Sequence, residues 1–189
     1  MKVYNFSPGP AKLDSSIISK SQEAMYNFQN TGLSILEIGH RSKEFEKLMN
    51  SLQENIRNIF NVPTNYFTLF LQGGATFQNT FIANNFDMRD KDLGCLVTGT
   101  WGKNTFDDFS KIRETKLIEL SQDEIENFVE SGEDLKNVDY LHLTSNETIN
   151  GVQLREFNKI NHDSLLIDMS SDIGSYRFEW DNIAYIYAL

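Results

Sequence analysis

Two spacings of apolar residues divide the chain. In its first third they recur every three or four positions, which predicts a helix over residues 15–29, capped by Ser15 or Ser16, and a longer helix from Ser42 to Pro63. From residue 66 onward, short continuous apolar runs alternate with helical spacing. The runs predict strands over residues 66–72, 94–99, 116–120, 140–145, 165–170 and 184–189. Further helices are predicted over residues 75–86, 103–112 and 121–131.

Strands that alternate with helices are typical of an α/β fold. The nearly continuous apolar character of the strands indicates burial on both faces, as in a mostly parallel sheet covered by helices on each side. Residues 1–14 place two prolines and a glycine close together, which predicts an extended N-terminal arm. We therefore expect this arm to be followed by one domain over residues 15–189.

The balance of charge limits the expected partners. The 189 residues include 27 acidic and 17 basic side chains, a formal net charge of -10, so nucleic acid and anionic membrane surfaces would repel the protein. Cys95 is the only cysteine, which excludes an intrachain disulfide, and His40, His142 and His162 are too scattered to predict a metal site. No apolar run approaches the roughly 20 residues of a membrane helix, so a cytoplasmic protein is the default expectation.

The candidate chemistry begins directly after the first predicted strand, because α/β sheets bind ligands at the ends of their strands. Gly73 and Gly74 would let the backbone approach a ligand there. The amides of Ala75 and Thr76 would open the next helix, where unpaired N–H groups and the helix dipole favour phosphate. The spacing matches neither dinucleotide-binding nor ATP-binding loops, and a plain strand-to-helix turn explains the glycines equally well.

Five other side chains flank predicted elements in a way that suggests binding. Trp101 could lie flat on an aromatic ligand, although a lone tryptophan more often belongs to a core. Thr148 could donate a hydrogen bond to a ligand oxygen or belong to a polar turn. Asp168 ends an apolar strand and needs a cation or a set of donors, which the following serines could supply. His40 and Arg41 precede the long helix, where an arginine could grip a carboxylate or lie on the surface.

Six segments together resemble the phosphoserine aminotransferases, fold-type I enzymes that use pyridoxal 5'-phosphate. They follow the family's order along the whole chain and read NFSPGPAKL, GLSILEIGHRSKEF, LFLQGGATFQ, VTGTWGKN, SNETINGV and DMSSDIGS. The resemblance implies the three-layer α/β/α large domain of the pyridoxal-phosphate-dependent transferases. It also implies that the chain corresponds to the N-terminal half of the family, with a sheet that is incomplete at the C-terminus.

The resemblance gives each candidate residue a role toward pyridoxal 5'-phosphate. The backbone amides of Ala75 and Thr76 would hold the cofactor's phosphate, and the indole of Trp101 would stack on its ring. Thr148 would hydrogen-bond the ring hydroxyl oxygen. Asp168 would pair with the ring nitrogen and keep it protonated, so that the ring can withdraw electrons from the substrate.

The implied reaction transfers an amino group from glutamate to 3-phosphohydroxypyruvate and yields 2-oxoglutarate and phosphoserine. Arg41 would bind the carboxylate of glutamate or phosphoserine, with His40 as the second substrate-binding residue. The implied setting is serine biosynthesis, with pyridoxine biosynthesis as a further role. The resemblance also implies a homodimer, so a second copy of the chain is the expected protein partner.

The family's Schiff-base lysine is expected beyond Leu189, and no lysine follows Lys159. We therefore expect the 189-residue polypeptide to be inactive or nearly so, because that lysine moves the proton during the reaction. A natural stop, a frameshift, a truncation and a second polypeptide that completes the site all stay open. Two other interpretations also stay open: a non-catalytic remnant, and a fold-type I enzyme of another family. Those other families usually carry a histidine at the position of Trp101.

Overall fold

The computed structural model describes residues 3–7, 10–85, 91–131, 135 and 137–189. The chain forms two units, Met1–Asn55 and Ile56–Leu189. The described residues before Ser15 contain neither helix nor strand. None of the helices in these ranges combines the length and the apolar character that crossing a lipid bilayer takes.

Helices and short turns form the first unit. Helix α1 spans Ser15–Tyr26, and helix α2 spans Lys43–Phe60 and so continues into the second unit. Two short 3-10 turns, Phe28–Asn30 and Ile35–Glu37, lie between the helices in sequence. Both helices lie within the residues that the apolar spacing predicted as helical.

The ends of α1 differ from the prediction. The predicted caps Ser15 and Ser16 are wrong, because both lie inside the helix. Asp14 immediately precedes it, and the Asp14 carboxylate accepts a hydrogen bond from the backbone N of Ser16 (2.8 Å). The helix ends at Tyr26 rather than at residue 29, since Asn27 already has an extended backbone (φ -154°, ψ 90°).

Strands and helices alternate in the second unit. Its described residues form three further helices, α3 to α5, at Gly74–Asn85, Thr100–Ile112 and Gln122–Ser131. They also form strands β1 to β7 at Leu93–Val97, Thr115–Glu119, Tyr140–Thr144, Asn146–Glu147, Val152–Gln153, Leu165–Asp168 and Ile183–Tyr187. A 3-10 turn at Phe157–Lys159 precedes β6.

Five of these strands form one sheet in the order β2, β1, β3, β6, β7. All four pairings in it are parallel, and Leu93 of β1 lies between Thr115 of β2 and Tyr140 of β3. Strands β4 and β5 form a separate antiparallel hairpin, which the apolar pattern did not predict. The predicted parallel sheet is therefore confirmed.

Side chains alternate between the two faces of the sheet, and both faces are buried. On one face, Leu141 and Leu143 of β3 join a core that includes Phe128 of α5. On the other face, the core contains Ile82 of α3 and Phe109 of α4. Helices thus cover the sheet on both sides, which is the three-layer arrangement that we expected.

The predicted strand over residues 66–72 is wrong. The segment contains no strand, and its apolar side chains after the half-buried Tyr66 are exposed, Phe67 by 89% and Leu69 by 64%. A strand exists only where a neighbour exchanges backbone hydrogen bonds with it. No strand in the described part of the chain pairs with these residues, so apolar composition alone over-predicted the sheet here.

The two-faced core predicts a contrast between two leucines. Leu143 is fully buried in the central strand β3, whereas Leu117 on the edge strand β2 is 40% exposed. Leu143→Ala should lower the free energy of unfolding by about 2 to 5 kcal/mol, because it leaves a cavity. Leu117→Ala should cost about 1 kcal/mol or less. Urea unfolding followed by circular dichroism measures both, and equal losses would contradict the placement of the core.

Candidate functional site

The sheet order places the ends of three central strands side by side. From β1 the chain moves outward to β2 and then returns to β3 on the other side of β1. Connections that leave neighbouring strands in opposite directions open a crevice beyond the carboxyl ends of the strands. The residues that follow β1, β3 and β6 are therefore placed around this crevice.

A pocket of about 380 Å³ lies at this edge of the sheet. Four of the five residues predicted to contact a cofactor line it: Ala75, Thr76, Trp101 and Asp168. The remaining lining residues are Asn79, Asn104, Thr105, Asp107, Asp108 and Lys111. Three separate parts of the sequence thus converge on one cavity.

A second pocket, of about 330 Å³, lies at the opposite edge of the sheet. Its lining includes Asp139 and Tyr140 at the start of β3 and Asp163 and Ser164 just before β6. It contains none of the residues that the sequence singled out for binding. Ligands of α/β sheets bind at the carboxyl ends of the strands, so the first pocket is the candidate site.

The paired glycines shape one wall of the candidate pocket. Gly73 and Gly74 have left-handed backbones with φ values of 102° and 67°, which favour glycine. A Cβ at Gly73 would lie 2.6 Å from Cγ of Phe77, so no larger residue fits without a shift. Helix α3 begins at Gly74, so the amides of Ala75 and Thr76 belong to its first turn. Amides in this turn lack partners within the helix and attract anions.

Asp168 supplies a carboxylate to the pocket from the end of β6. Its Oδ1 accepts a hydrogen bond from the backbone N of Ser170 (2.9 Å), so a following serine provides one donor. Among the described residues, no lysine or arginine forms an ion pair with this half-buried group. A carboxylate offers about four acceptor positions, so Asp168 retains capacity to bind an N–H or cationic group in the pocket.

Trp101 lies in the first turn of α4, the helix that follows β1, and is 44% exposed. Its indole Nε1 donates a hydrogen bond to Oγ1 of Thr148 (2.8 Å). Thr148 does not line the pocket, so the structure places it against the indole rather than in the pocket wall. Its hydroxyl accepts the bond from the indole and keeps its own proton to donate elsewhere.

Two residues that the sequence did not single out also belong to the site. The buried carboxylate of Glu147 accepts hydrogen bonds from two amides in the first turn of α4 (2.7 and 2.8 Å). Asn79 of α3 lines the pocket and donates to Oδ2 of Asp108 (3.1 Å). No sequence signal marked Glu147, because the helix was predicted from residue 103, and only the structure places Gly99, which has no side chain to cap the helix, at its N-cap position. Nothing in the sequence marks Asn79 either.

The two predicted substrate-binding residues lie in the first unit. His40 and Arg41 occupy the turn before α2, and both side chains are exposed. The exposure agrees equally with a surface arginine and with one that binds a ligand. Their roles toward a substrate stay predictions.

The comparison with known families decides the classification. A protein-family model described as Aminotransferase class-V matches residues 3–188, a range that includes every residue of the pocket. The chain belongs to the class-V aminotransferases. The resemblance noted in the sequence is thereby confirmed at the level of the family.

This class-V aminotransferase chain is similar to phosphoserine aminotransferases over nearly its whole length. It is 38% identical to the phosphoserine aminotransferase of Geobacillus kaustophilus over 191 residues, which cover 99% of this chain and 52% of the relative. The solved phosphoserine aminotransferase from Bacillus circulans subsp. alkalophilus matches with a TM-score of 0.88 and 33% identity, over 99% of this chain and 53% of that one. A pyridoxal-phosphate-bound phosphoserine aminotransferase from Trichomonas vaginalis has a TM-score of 0.81 and 27% identity, with coverages of 99% and 57%. The chain spans about half the length of these relatives.

A row of buried polar groups joins the sheet of the aminotransferase chain to its pocket. The thiol of Cys95 lies 3.8 Å from Nδ1 of His142, and Nε2 of His142 lies 3.0 Å from the hydroxyl of Tyr187. That hydroxyl donates to Oδ1 of the pocket residue Asn79 (3.3 Å). With its proton on Nε2, His142 can donate to the hydroxyl of Tyr187, which in turn donates to Asn79, while Nδ1 can accept from the thiol of Cys95. We therefore assign this tautomer.

Burial keeps this row neutral. It lowers the pKa of His142 to about 3 and raises the pKa of Cys95 to about 12. Burial, reinforced by the carboxylate of Asp168, also raises the pKa of Tyr187 well above its usual value. None of these three groups is charged at neutral pH, so the row positions Asn79 rather than exchanging protons with a ligand.

The low pKa of His142 predicts a loss of stability in acid. An unfolded histidine takes up a proton below a pH of about 6.5, whereas folded His142 does so only near its pKa of about 3. Stability should therefore fall as the pH drops between these values, by up to about 1.4 kcal/mol per pH unit from this group.

The variant His142→Gln isolates that contribution, because it keeps the carboxylates that titrate in the same range. Its free energy of unfolding should decline less steeply with falling pH than that of the wild type. Urea unfolding at a series of pH values gives both slopes. Parallel curves for the two proteins would show that His142 is not the source.

Proposed function

We propose that the pocket binds pyridoxal 5'-phosphate and that the chain forms the cofactor-binding part of an aminotransferase. The observation that carries the proposal is that an indole, a carboxylate and the first turn of a helix line a single pocket. These groups complement the three parts of the cofactor: its aromatic ring, its ring nitrogen and its phosphate. The volume of about 380 Å³ also falls within the range of about 300 to 1,000 Å³ that is typical of small-molecule sites.

Two walls of the pocket would fix the position of the cofactor. The amides of Ala75 and Thr76 would donate hydrogen bonds to the phosphate, where the positive end of the α3 dipole favours an anion. Trp101 would pack the face of its indole against the ring, a pairing of aromatic groups worth about 0.5 to 1.5 kcal/mol beyond the burial of area. From its position against the indole, outside the residues that line the pocket, Thr148 would use the proton of its hydroxyl to hydrogen-bond the ring hydroxyl oxygen.

Asp168 would tune the chemistry. When bound, pyridoxal phosphate supplies a ring that withdraws electrons from the carbon next to the substrate's amino group. A carboxylate opposite the ring nitrogen would hold a proton there through a charge-assisted hydrogen bond. The protonated ring withdraws electrons most strongly, so this aspartate would set how well the carbon can release its proton.

We infer the substrates from the similarity to phosphoserine aminotransferases, with glutamate as the amino donor and 3-phosphohydroxypyruvate as the acceptor. Both molecules are anions, whereas the chain carries a formal net charge of -10, so local cations and N–H groups must bind them. Arg41 would bind a substrate carboxylate through two N–H groups, with His40 beside it. A second copy of the chain is the proposed protein partner.

The substrate assignment is tested with the natural protein, purified from the organism that produces it. Glutamate-dependent formation of phosphoserine from 3-phosphohydroxypyruvate is the expected activity. A clear preference for pyruvate or glyoxylate as the amino acceptor would contradict the assignment and favour another aminotransferase of the same class.

The variant Asp168→Asn tests the cofactor site. It removes a charge-assisted hydrogen bond worth about 1.5 to 3 kcal/mol, so the Kd for pyridoxal phosphate should rise about 10- to 100-fold. Isothermal titration calorimetry of the purified chain measures this value.

The matched control is Asp163→Asn, which makes the same change in the second pocket at the opposite edge of the sheet. Its Kd should equal that of the wild type. Unchanged affinity in Asp168→Asn, or a loss of affinity in Asp163→Asn, would argue against the proposed site.

A further inference from the structure

Helix α4 begins without a cap of its own. Gly99 occupies the N-cap position and has no side chain that could accept a hydrogen bond from the first turn. The first amides of a helix have no partners within it and need acceptors from elsewhere. Trp101 lies in this turn, so whatever binds these amides also fixes the backbone that carries the indole.

The acceptors come from the hairpin formed by β4 and β5. Glu147 accepts from the amides of Trp101 (2.8 Å, at Oε2) and Gly102 (2.7 Å, at Oε1). Oδ1 of Asn150 accepts from the amide of Thr100 (2.8 Å) and from its hydroxyl (2.9 Å). Three successive amides of the first turn are thus bound by side chains of one hairpin.

Close packing fixes the position of the Glu147 carboxylate at the start of α4. Glu147 is fully buried, and a carboxylate without partners would be costly there. A Cβ at Gly99 would lie 2.7 Å from Cδ of Glu147, and one at Gly102 would lie 3.1 Å from Oε1 of the same residue. The positive end of the α4 dipole also favours a negative group at this position.

The hairpin is anchored at its base to the strand that carries Asp168. The amide of Ser145 donates to the carbonyl oxygen of Asp168 (2.9 Å), and its hydroxyl donates to Oδ1 of the buried Asp172 (2.5 Å). Gln153 of β5 donates to Oδ2 of the same carboxylate (3.2 Å). A continuous set of hydrogen bonds therefore runs from the end of β6 through the hairpin to the start of α4.

The same hairpin also holds the ring of Trp101, because Thr148 accepts the hydrogen bond from the indole Nε1 (2.8 Å). Neighbouring residues of the hairpin thus contact the backbone and the side chain of one tryptophan. This double contact goes beyond what capping α4 requires, since a cap needs only the backbone amides.

We propose that Glu147 is a positioning residue, which fixes the first turn of α4 and thereby holds the indole of Trp101 in place before any ligand binds. Its effect on pyridoxal phosphate rests on the proposed function. Its effect on the indole does not, because every contact involved lies within the chain. Thr148 completes the arrangement by setting the orientation of the ring.

The variant Glu147→Gln tests the proposal. Its amide group would turn an N–H donor toward one of the two backbone amides, so only one of the two hydrogen bonds could form. The contribution of Trp101 to near-ultraviolet circular dichroism is the difference between the wild-type spectrum and that of Trp101→Phe. Glu147→Gln should lose most of this contribution while its far-ultraviolet spectrum stays unchanged. Its Kd for pyridoxal phosphate should rise about 10-fold.

The control is Glu156→Gln, which makes the same change on an exposed glutamate that pairs with Lys159 (2.8 Å). It should keep both the Trp101 signal and the affinity. If Glu147→Gln does not fold, Glu147→Asp replaces it, because the shorter carboxylate keeps the negative charge at the start of α4 but cannot reach both amides, and it should likewise reduce the Trp101 signal.

The outcomes separate the two proposals. An unchanged Trp101 signal in Glu147→Gln, or in Glu147→Asp if that variant is needed, overturns the positioning role. A wild-type chain that binds no pyridoxal phosphate overturns the proposed function, while the Trp101 signal without ligand still decides the role of Glu147. Loss of the Trp101 signal in the glutamine variant alone, and not in Glu156→Gln, supports the positioning role.

Discussion

The pairing of β1 with β2 on one side and with β3 on the other is the constraint on which the pocket depends. Both pairings are parallel, so the strands end at one edge of the sheet, and the chain must leave β1 and β3 in different directions. Trp101 lies four positions after the last residue of β1, and Asp168 ends β6. The register of the sheet thus brings an indole and a carboxylate to the same cavity.

Two helices start at this cavity, and the positive ends of their dipoles have different surroundings. The start of α4 is bound by the chain's own Glu147, whereas the first turn of α3 lines the pocket through Ala75 and Thr76. An anionic group of a ligand is therefore directed to α3. Two acidic side chains of the pocket wall do not oppose this, because lysines pair with both at 2.6 and 2.9 Å: Asp107 with Lys103 and Asp108 with Lys111.

Much of this architecture could be predicted from local sequence patterns. Continuous apolar runs predicted the five strands of the sheet, and their parallel order explains why four predicted site residues share a pocket. The pattern over-predicted residues 66–72, because the existence of a strand depends on a partner that composition does not reveal. The hairpin of β4 and β5 was missed because strands of two residues leave no periodic signal.

The role of Glu147 could not be predicted for a different reason. Its contacts with α4 join residues 45 and 46 positions apart in sequence, and they depend on how the hairpin sits beyond β3. The helix was predicted from residue 103, so the need for an acceptor beside Gly99 became visible only in the structure. The same holds for Asn79, which reaches the row of buried groups through Tyr187 of the last strand. Local patterns predict elements, whereas these side chains act through tertiary contacts.

The most direct test of the account is a crystal structure of the chain with pyridoxal phosphate. The account predicts that the ligand occupies the pocket at the carboxyl ends of the strands, with its ring against Trp101 and its phosphate at the first turn of α3. Density for the ligand at the opposite edge of the sheet, or in a site without Trp101 and Asp168, would contradict it.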